Sequence, residues 1–340
     1  MKRLILSEED VRSVKGLLAG LQAQYRSVAD AEFLSSCSAL AGELPRSVRQ
    51  FLNSFRFADP TMGAVVISGY PVEDPRIGRT PEHWHRNGDV SPTLAEDMLL
   101  ILCGSLLGDV FSWGTEQGGH IIQEVIPIKS HEHSQMSTGS EQTIWWHTED
   151  AFHPYTSDYV GLMCMRNPEK IATTFACIDA VRLDPSVVKV LFEDRFVIRP
   201  VESHQEYVNL EAASDKETEH SRYERINQMN EHPERISILY GDPEFPYLRI
   251  DPYFMDIPMD DKEGQQALEA LVKAVESSLQ EVVLEPGDCC LIDNYKAVHG
   301  RKPFKAKYDG TDRWLKRVNI TRDLRKSRAS RASGTSRIIV

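Results

Sequence analysis

The sequence predicts a mainly β chain with flanking helices, an α+β arrangement in a single domain spanning 1–340. Three observations carry that expectation. Apolar residues recur at helical spacing through about the first 110 residues. Short apolar runs separated by turn residues follow over about 111–325. A chain of 340 residues with 41% hydrophobic content is enough for one large domain or two small ones, and a β-rich barrel or sandwich with insertions of this length often forms a single unit.

In chain order, Ser7-Glu8-Glu9-Asp10 reads as an N-cap with an acid three residues on. Val11, Val14, Leu17, Leu18 and Leu21 then follow on one helical stripe. A second helical stretch covers 31–55, broken near Pro45, and 63–70 reads as a buried strand between glycines. Thr80-Pro81-Glu82 offers the start of a short helix, and 94–107 reads as a longer one. From Ile121 onward come β-like runs at 121–126, 159–165, 173–178, 237–240, 247–250, 281–284, 289–292 and 318–321, as in an antiparallel sandwich or barrel. One helix interrupts them at 264–279, with Ala267, Leu268, Leu271, Val272 and Val275 on its apolar stripe. The polar stretch 202–235 reads as a lid-like insertion over a site, or as a plain surface loop. The basic tail after Asp323 reads as a solvated terminus.

The net charge of −12 argues against a nucleic-acid partner, which needs a basic face. It suits a cationic small substrate. No apolar run reaches the length of a membrane span, and the N-terminus turns charged at Glu8, so neither a membrane partner nor a signal peptide is expected. Six scattered cysteines, without a CxxC pair, suggest buried thiols in a reducing compartment, and the expected address is the cytoplasm. The sequence leaves the oligomeric state open.

The chemistry concentrates in two segments. His147-Thr148-Glu149 is an H-x-E pair at the end of a Trp145-Trp146 run, and His299 follows in Ala297-Val298-His299-Gly300. Residues two apart on an extended segment share a side, so His147 and Glu149 reach one metal ion. Two imidazoles and a carboxylate occupy one face of an octahedral Fe(II) and leave positions open for substrates. H-x-E alone equally fits a surface pair at a turn in a chain with 11 histidines and 51 acids. Arg313 and Arg317 lie four apart on a strand-like stretch and share a face. A guanidinium there would grip a carboxylate with paired hydrogen bonds.

This pattern, with Leu107-Gly-Asp-Val-Phe111, Trp146-His-Thr-Glu-Asp-Ala-Phe152, Ala297-Val-His-Gly-Arg301 and Asp312-Arg-Trp-Leu-Lys-Arg317, resembles the clavaminate-synthase-like branch of the 2-oxoglutarate oxygenases. Within it, the chain looks most like the arginine β-hydroxylases of peptide-antibiotic biosynthesis. The resemblance runs along nearly the whole chain. It implies a distorted double-stranded β-helix, or jelly roll, over about 111–325, with Fe(II) on His147, Glu149 and His299. It also implies 2-oxoglutarate on Arg313 with Thr174, O2 as co-reactant, and a free amino acid as partner. Substrate contacts implied are Gln117 (from the Glu116-Gln117 pair), Ser137, Glu149, Asp251 and Arg317. The expected activity is hydroxylation of C3 or C4 of L-arginine with release of succinate and CO2. Where the family places a second aspartate, this chain has Tyr253, which keeps citrulline, enduracididine and another amine as alternatives, and desaturation as an alternative outcome. A jelly-roll module that only binds a ligand would have no use for an open iron site beside Arg313. Two further histidine groups, His131-Glu132-His133 and His83-x-His85, lack a matching arginine and read as surface or supporting residues.

Overall fold

The computed structural model describes residues 1–57, 62–85, 90–209 and 216–340, with backbone alone for 216–221. Two β-sheets lie face to face, and helices cover the outer side of each. Among the described residues the larger sheet has eight strands. Their order is Lys2–Ile5, Ala64–Ser68, Cys289–Asp293, Tyr159–Arg166, Trp314–Thr321, Asp109–Trp113 and Ile338–Ile339, with Gln123–Val125 paired to Leu315, Lys316 and Arg317. The smaller sheet has four, in the order Gln280–Val283, Ala172–Cys177, Ala297–Arg301 and Ile144–His147. Pairing is antiparallel apart from the two short end strands of the larger sheet, which join in parallel.

Side-chain alternation builds three apolar layers from these strands. Val66, Val160, Leu162, Cys164, Cys290, Ile292 and Leu315 meet Phe175, Cys177 and Ala297 of the smaller sheet between the two. Val65, Ile67, Met163, Leu291, Val318 and Ile320 point the other way, into the helical layer. Because both faces are covered, these strands read as unbroken apolar runs instead of alternating ones. The same alternation buries both Cys289 and Cys290. The smaller sheet turns Trp146, Ala176 and Val298 onto the helices Pro185–Leu191 and Lys262–Ser278.

The N-terminal helices form where the sequence signals them. Ser7 accepts from the Asp10 amide at 3.1 Å, and the Asp10 carboxylate accepts from the Ser7 amide at 3.0 Å, capping Glu8–Gln24. Asp30 caps Ala31–Ala41, and Arg46–Arg56 starts directly after Pro45. Leu94–Ser105 is apolar nearly all round and lies between the other helices and the sheet, with Leu100 and Leu102 fully buried. Truncating either to alanine would cost about 2–5 kcal/mol. At Gly287 the backbone has φ of 89° and a Cβ would sit 1.7 Å from the Tyr70 carbonyl oxygen, so the turn into Cys289–Asp293 requires glycine.

Two expectations are corrected, and a third segment is described more fully. The short helix forms at Asp74–Ile77, with Pro75 in its first turn, and Thr80–His85 is irregular; residues 86–89, into which the expected helix would have run, lie outside the described residues. The basic tail is part of the fold. Ile338–Ile339 pairs with Asp109–Trp113, Arg337 donates to Asp109 at 2.7 Å, and Arg331 is buried against the carbonyls of Gly334 and Ser336. The polar stretch 202–235 contains the helices Glu206–Asn209 and Lys216–Glu231, with Ile226 packed on Ala151, Phe152 and Ile198; its residues 210–215 lie outside the described residues. No helix among the described residues is long and apolar enough to cross a membrane.

Candidate active site

Between the two sheets is a cleft lined by His147, Glu149, His299, Arg313, Arg317, Asp251, Tyr253 and Ser137 among others. Ile144–His147 and Ala297–Arg301 are adjacent antiparallel strands, and their register sets His299 directly opposite His147. Glu149 follows just past the strand end, where the Thr148 amide donates to the Ile250 carbonyl at 2.8 Å. Asn294 then fixes the Glu149 backbone. It accepts from the Glu149 amide at 2.7 Å and donates to the Glu149 carbonyl at 3.1 Å.

The donor atoms of His147, Glu149 and His299 lie within 4.8 Å of one another. The Trp145 carbonyl, which only accepts, sits 2.7 Å from His147 Nδ1, so the proton is on Nδ1 and the Nε2 lone pair faces the site. His299 Nε2 is 3.1 Å from Glu149 Oε2. Burial lowers the His299 pKa and keeps the ring neutral, with Glu149 opposing only in part. Burial alone would raise the Glu149 pKa, yet Arg317 and His299 outweigh it and hold the carboxyl well below its usual range. Two imidazoles and an ionised carboxylate are the donor set that suits Fe(II) with open positions, so the residues fit that ion.

The two arginines differ. Arg317 is fully engaged: it donates to Glu149 Oε1 at 2.5 Å, to both Glu116 oxygens at 2.7 Å and to Gln123 Oε1 at 2.7 Å. Arg313 is equally buried, but among the described residues its one side-chain hydrogen bond is to Thr173 Oγ1 at 3.5 Å, and its Nε finds no partner there. Burial pushes its pKa down to about 10. Arg301, also on the cleft wall, donates to the carbonyls of Gly139, Ser140 and Gln142, and burial lowers it to about 9 with Arg313 adding repulsion. Two desolvated cations that face a cleft without a carboxylate partner among the described residues form an anion site. Across the triad, Asp251 is a buried carboxylate with no basic ion-pair partner among the described residues. Among the described residues it accepts from the Tyr253 and Phe254 amides at 3.2 and 3.4 Å, and burial raises its pKa despite His147.

Most of the expected residues converge here, with two displacements. Thr174 shares the face of Ala176, away from the cleft, and the threonine beside Arg313 is Thr173. Gln117 is buried outside the cleft wall, its amide bridging the backbone N–H and C=O of Glu124 at 2.8 and 2.9 Å; Glu116 takes the place in the cleft. Sequence reasoning missed Glu116, Gln123, Thr173, Asn294, Arg301 and His204. The polar pair Gln123-Glu124 inside the apolar run 121–126 was a usable signal. A second carboxylate-histidine group, Glu116, Asp150 and His204, is also buried. Its donors are committed to Arg317, Gln123, Trp113, Thr115 and one another, so it is a hydrogen-bond network and not a second metal site. Among the other histidines, His131 meets Thr138 at 2.9 Å and His83 stacks on His85 at 4.7 Å.

An open coordination face next to a buried arginine that lacks a carboxylate partner among the described residues, in the cleft of a jelly roll, defines a class: non-haem iron oxygenases that consume a 2-oxo acid. Comparison with known proteins narrows it. Residues 107–319 match the family described as "Taurine catabolism dioxygenase TauD, TfdA family". The chain is 44% identical over 345 residues to the L-ornithine/L-arginine 3-hydroxylase of Catenulispora acidiphila, covering 100% of both chains. It is 41% identical over 342 residues to the enduracididine beta-hydroxylase of Streptomyces hygroscopicus, again over 100% of both. A crystal structure of the non-heme iron oxygenase OrfP with Fe, succinate and (3S)-hydroxy-L-Arg superimposes with a TM-score of 0.94 at 42% identity, covering 100% of each chain. The chain belongs to the TauD/TfdA family of dioxygenases, and its core is the double-stranded β-helix of that family.

Proposed function

We propose that this enzyme hydroxylates C3 or C4 of free L-arginine while converting 2-oxoglutarate and O2 to succinate and CO2. The observation that carries the reading is the pair of unanswered buried charges on either side of the triad. Arg313 calls for an anion and Asp251 for a cation, and each of the two ligands relieves one of these costs.

When bound, Fe(II), 2-oxoglutarate and O2 supply an oxidant able to take hydrogen from an unactivated carbon. His147, Glu149 and His299 hold the metal. Arg313, with Thr173 at its side, anchors the distal carboxylate of 2-oxoglutarate, and Arg301 adds positive potential. Arg317 receives the substrate α-carboxylate, which competes with Glu149 Oε1 for the same guanidinium. Glu149 and Ser137 face the amino group. Asp251 takes the guanidinium, and the half-exposed Tyr253 lies at the rim beside it. Fixing the substrate at both ends positions one C–H near the metal, and misplacement by about 1 Å would cost orders of magnitude in rate. With the six free cysteines buried, the reducing cytoplasm is the proposed compartment. The chain works as one catalytic unit over 1–340.

The test is anaerobic loading with Fe(II) and 2-oxoglutarate, then air, with L-arginine, enduracididine, citrulline and L-ornithine compared. One oxygen added to arginine with stoichiometric succinate supports the proposal. Product from enduracididine alone would move the substrate to the cyclised amino acid, consistent with one carboxylate and Tyr253 where two acids are expected. Loss of two hydrogens would mean desaturation.

A further inference from the structure

We propose that His204 is a positioning residue that fastens residues 199–209 over the cleft and thereby sets Arg317 for the substrate. The proposal rests on the reading of Arg317 as the carboxylate receptor. Val201 and Ser203 line the cleft, and between them and the helix Glu206–Asn209 the chain drives His204 fully into the protein. Both ring nitrogens are used. Nδ1 lies 2.8 Å from Thr115 Oγ1, and Nε2 lies 3.1 Å from Asp150 Oδ1 and 3.8 Å from Glu116 Oε2. The ring packs against Phe152 and Trp113 at 5.0 and 5.8 Å between centroids.

Two of the partners of His204 lead to the site in one step, and the third ties back to the same segment. Glu116 holds the Arg317 guanidinium through both oxygens. Asp150 follows the metal ligand Glu149 directly, on left-handed backbone with φ of 50°, and is held from the other side by the Trp113 indole N–H. Thr115 belongs to the turn that includes Gln117, whose amide N–H donates to Asn209 Oδ1 at 3.2 Å, a second tie to the same segment. Burial works against a charged ring, but Asp150 and Glu116 outweigh it and raise the pKa of His204. An imidazole placed between two carboxylates, with its charged form favoured by both, counters their repulsion and so supports the grip of Glu116 on Arg317.

The experiment compares the loaded wild-type enzyme with His204→Ala and with Thr115→Val, which removes one partner and preserves shape. Amide hydrogen exchange over 199–209 is followed alongside the calorimetric affinities for L-arginine and 2-oxoglutarate. The expected result for His204→Ala is exchange at least tenfold faster in that segment and arginine affinity lowered about 10- to 100-fold, in line with losses from groups that orient a site. Succinate would form in excess over hydroxylated product, with 2-oxoglutarate affinity within threefold. Thr115→Val should shift the same quantities in the same direction by less. Unchanged exchange, or equal loss of both affinities, in both variants would overturn the role. Failure of the wild type itself to bind arginine would instead remove the substrate reading, while the exchange data would still report on the fastening.

Discussion

Replacing Arg313 with methionine separates the cost of a buried charge from its use. In the ligand-free protein the Arg313 guanidinium is buried with one 3.5 Å contact, and its pKa of about 10 against 12.5 corresponds to about 3 kcal/mol against the charged form. Because the folded-state value lies below the ordinary one, this penalty is fully present at pH 7 and lifts only as pH rises through about 10 to 12.5. Arg313→Met should therefore leave the ligand-free protein as stable as the wild type or more so, by up to about 3 kcal/mol. Removing one partner of a desolvated charge pair costs about 2–5 kcal/mol of binding, so 2-oxoglutarate affinity should fall at least about 30-fold. Thermal scans with and without 2-oxoglutarate read both effects. The wild type gains about 2.7 kcal/mol at a hundredfold excess over Kd, roughly 2 °C per kcal/mol, and a variant about 30-fold weaker gains no more than about 0.9 kcal/mol at the same concentration. A variant that binds 2-oxoglutarate within threefold of the wild type would refute the assignment, whatever its stability.

Three further outcomes follow from the same geometry. His147→Ala should abolish both Fe(II) binding and turnover, measured by metal content after dialysis and by succinate release; full turnover would sink the triad. Asp251→Asn keeps the turn acceptor and removes a carboxylate whose folded pKa is raised, so its charge destabilises the fold above that pKa and not below the ordinary 3.8. It should leave the ligand-free Tm unchanged or higher and weaken L-arginine binding at least about tenfold with 2-oxoglutarate binding intact; equal loss of both would remove its role. Burial raises the thiols of Cys37 to about 11 and of Cys164, Cys177 and Cys290 to about 12. The native enzyme at pH 8 should accordingly react negligibly with a thiol reagent, and all six cysteines should react in denaturant; rapid native labelling of these residues would contradict their burial.

The parts of the fold legible in the sequence were those written in local pattern. The Ser7–Asp10 cap, Pro45 and the stripe ending at Val275 state helices in their own neighbourhood, and the jelly roll followed from the H-x-E, His299 and Arg313 spacing through a family likeness. Elements whose reason is tertiary were not legible. Lys2–Ile5 and Ile338–Ile339 are strands only because an edge of the large sheet accepts them, and the basic residues around the latter disguised it as a loose tail. The site shows the same division. His147, Glu149, His299, Asp251 and Arg317 converge in the structure, but adjacent threonines on one strand differ only in which face they take. The parity of Phe175 and Cys177 was the one clue favouring Thr173. Glu116 and Gln117 present a similar choice, decided by a turn in which Gln117 adopts φ of 44° and spends its amide on Glu124. His204 gave no local sign, since its partners are 54 and 89 residues away.

The most direct test of the central claim is a crystal structure of the anaerobic complex with Fe(II), 2-oxoglutarate and L-arginine. The account predicts the metal on His147, Glu149 and His299, the far carboxylate of 2-oxoglutarate on Arg313, the arginine carboxylate on Arg317 and its guanidinium on Asp251. Arginine bound in the opposite sense, or 2-oxoglutarate anchored away from Arg313, would contradict it.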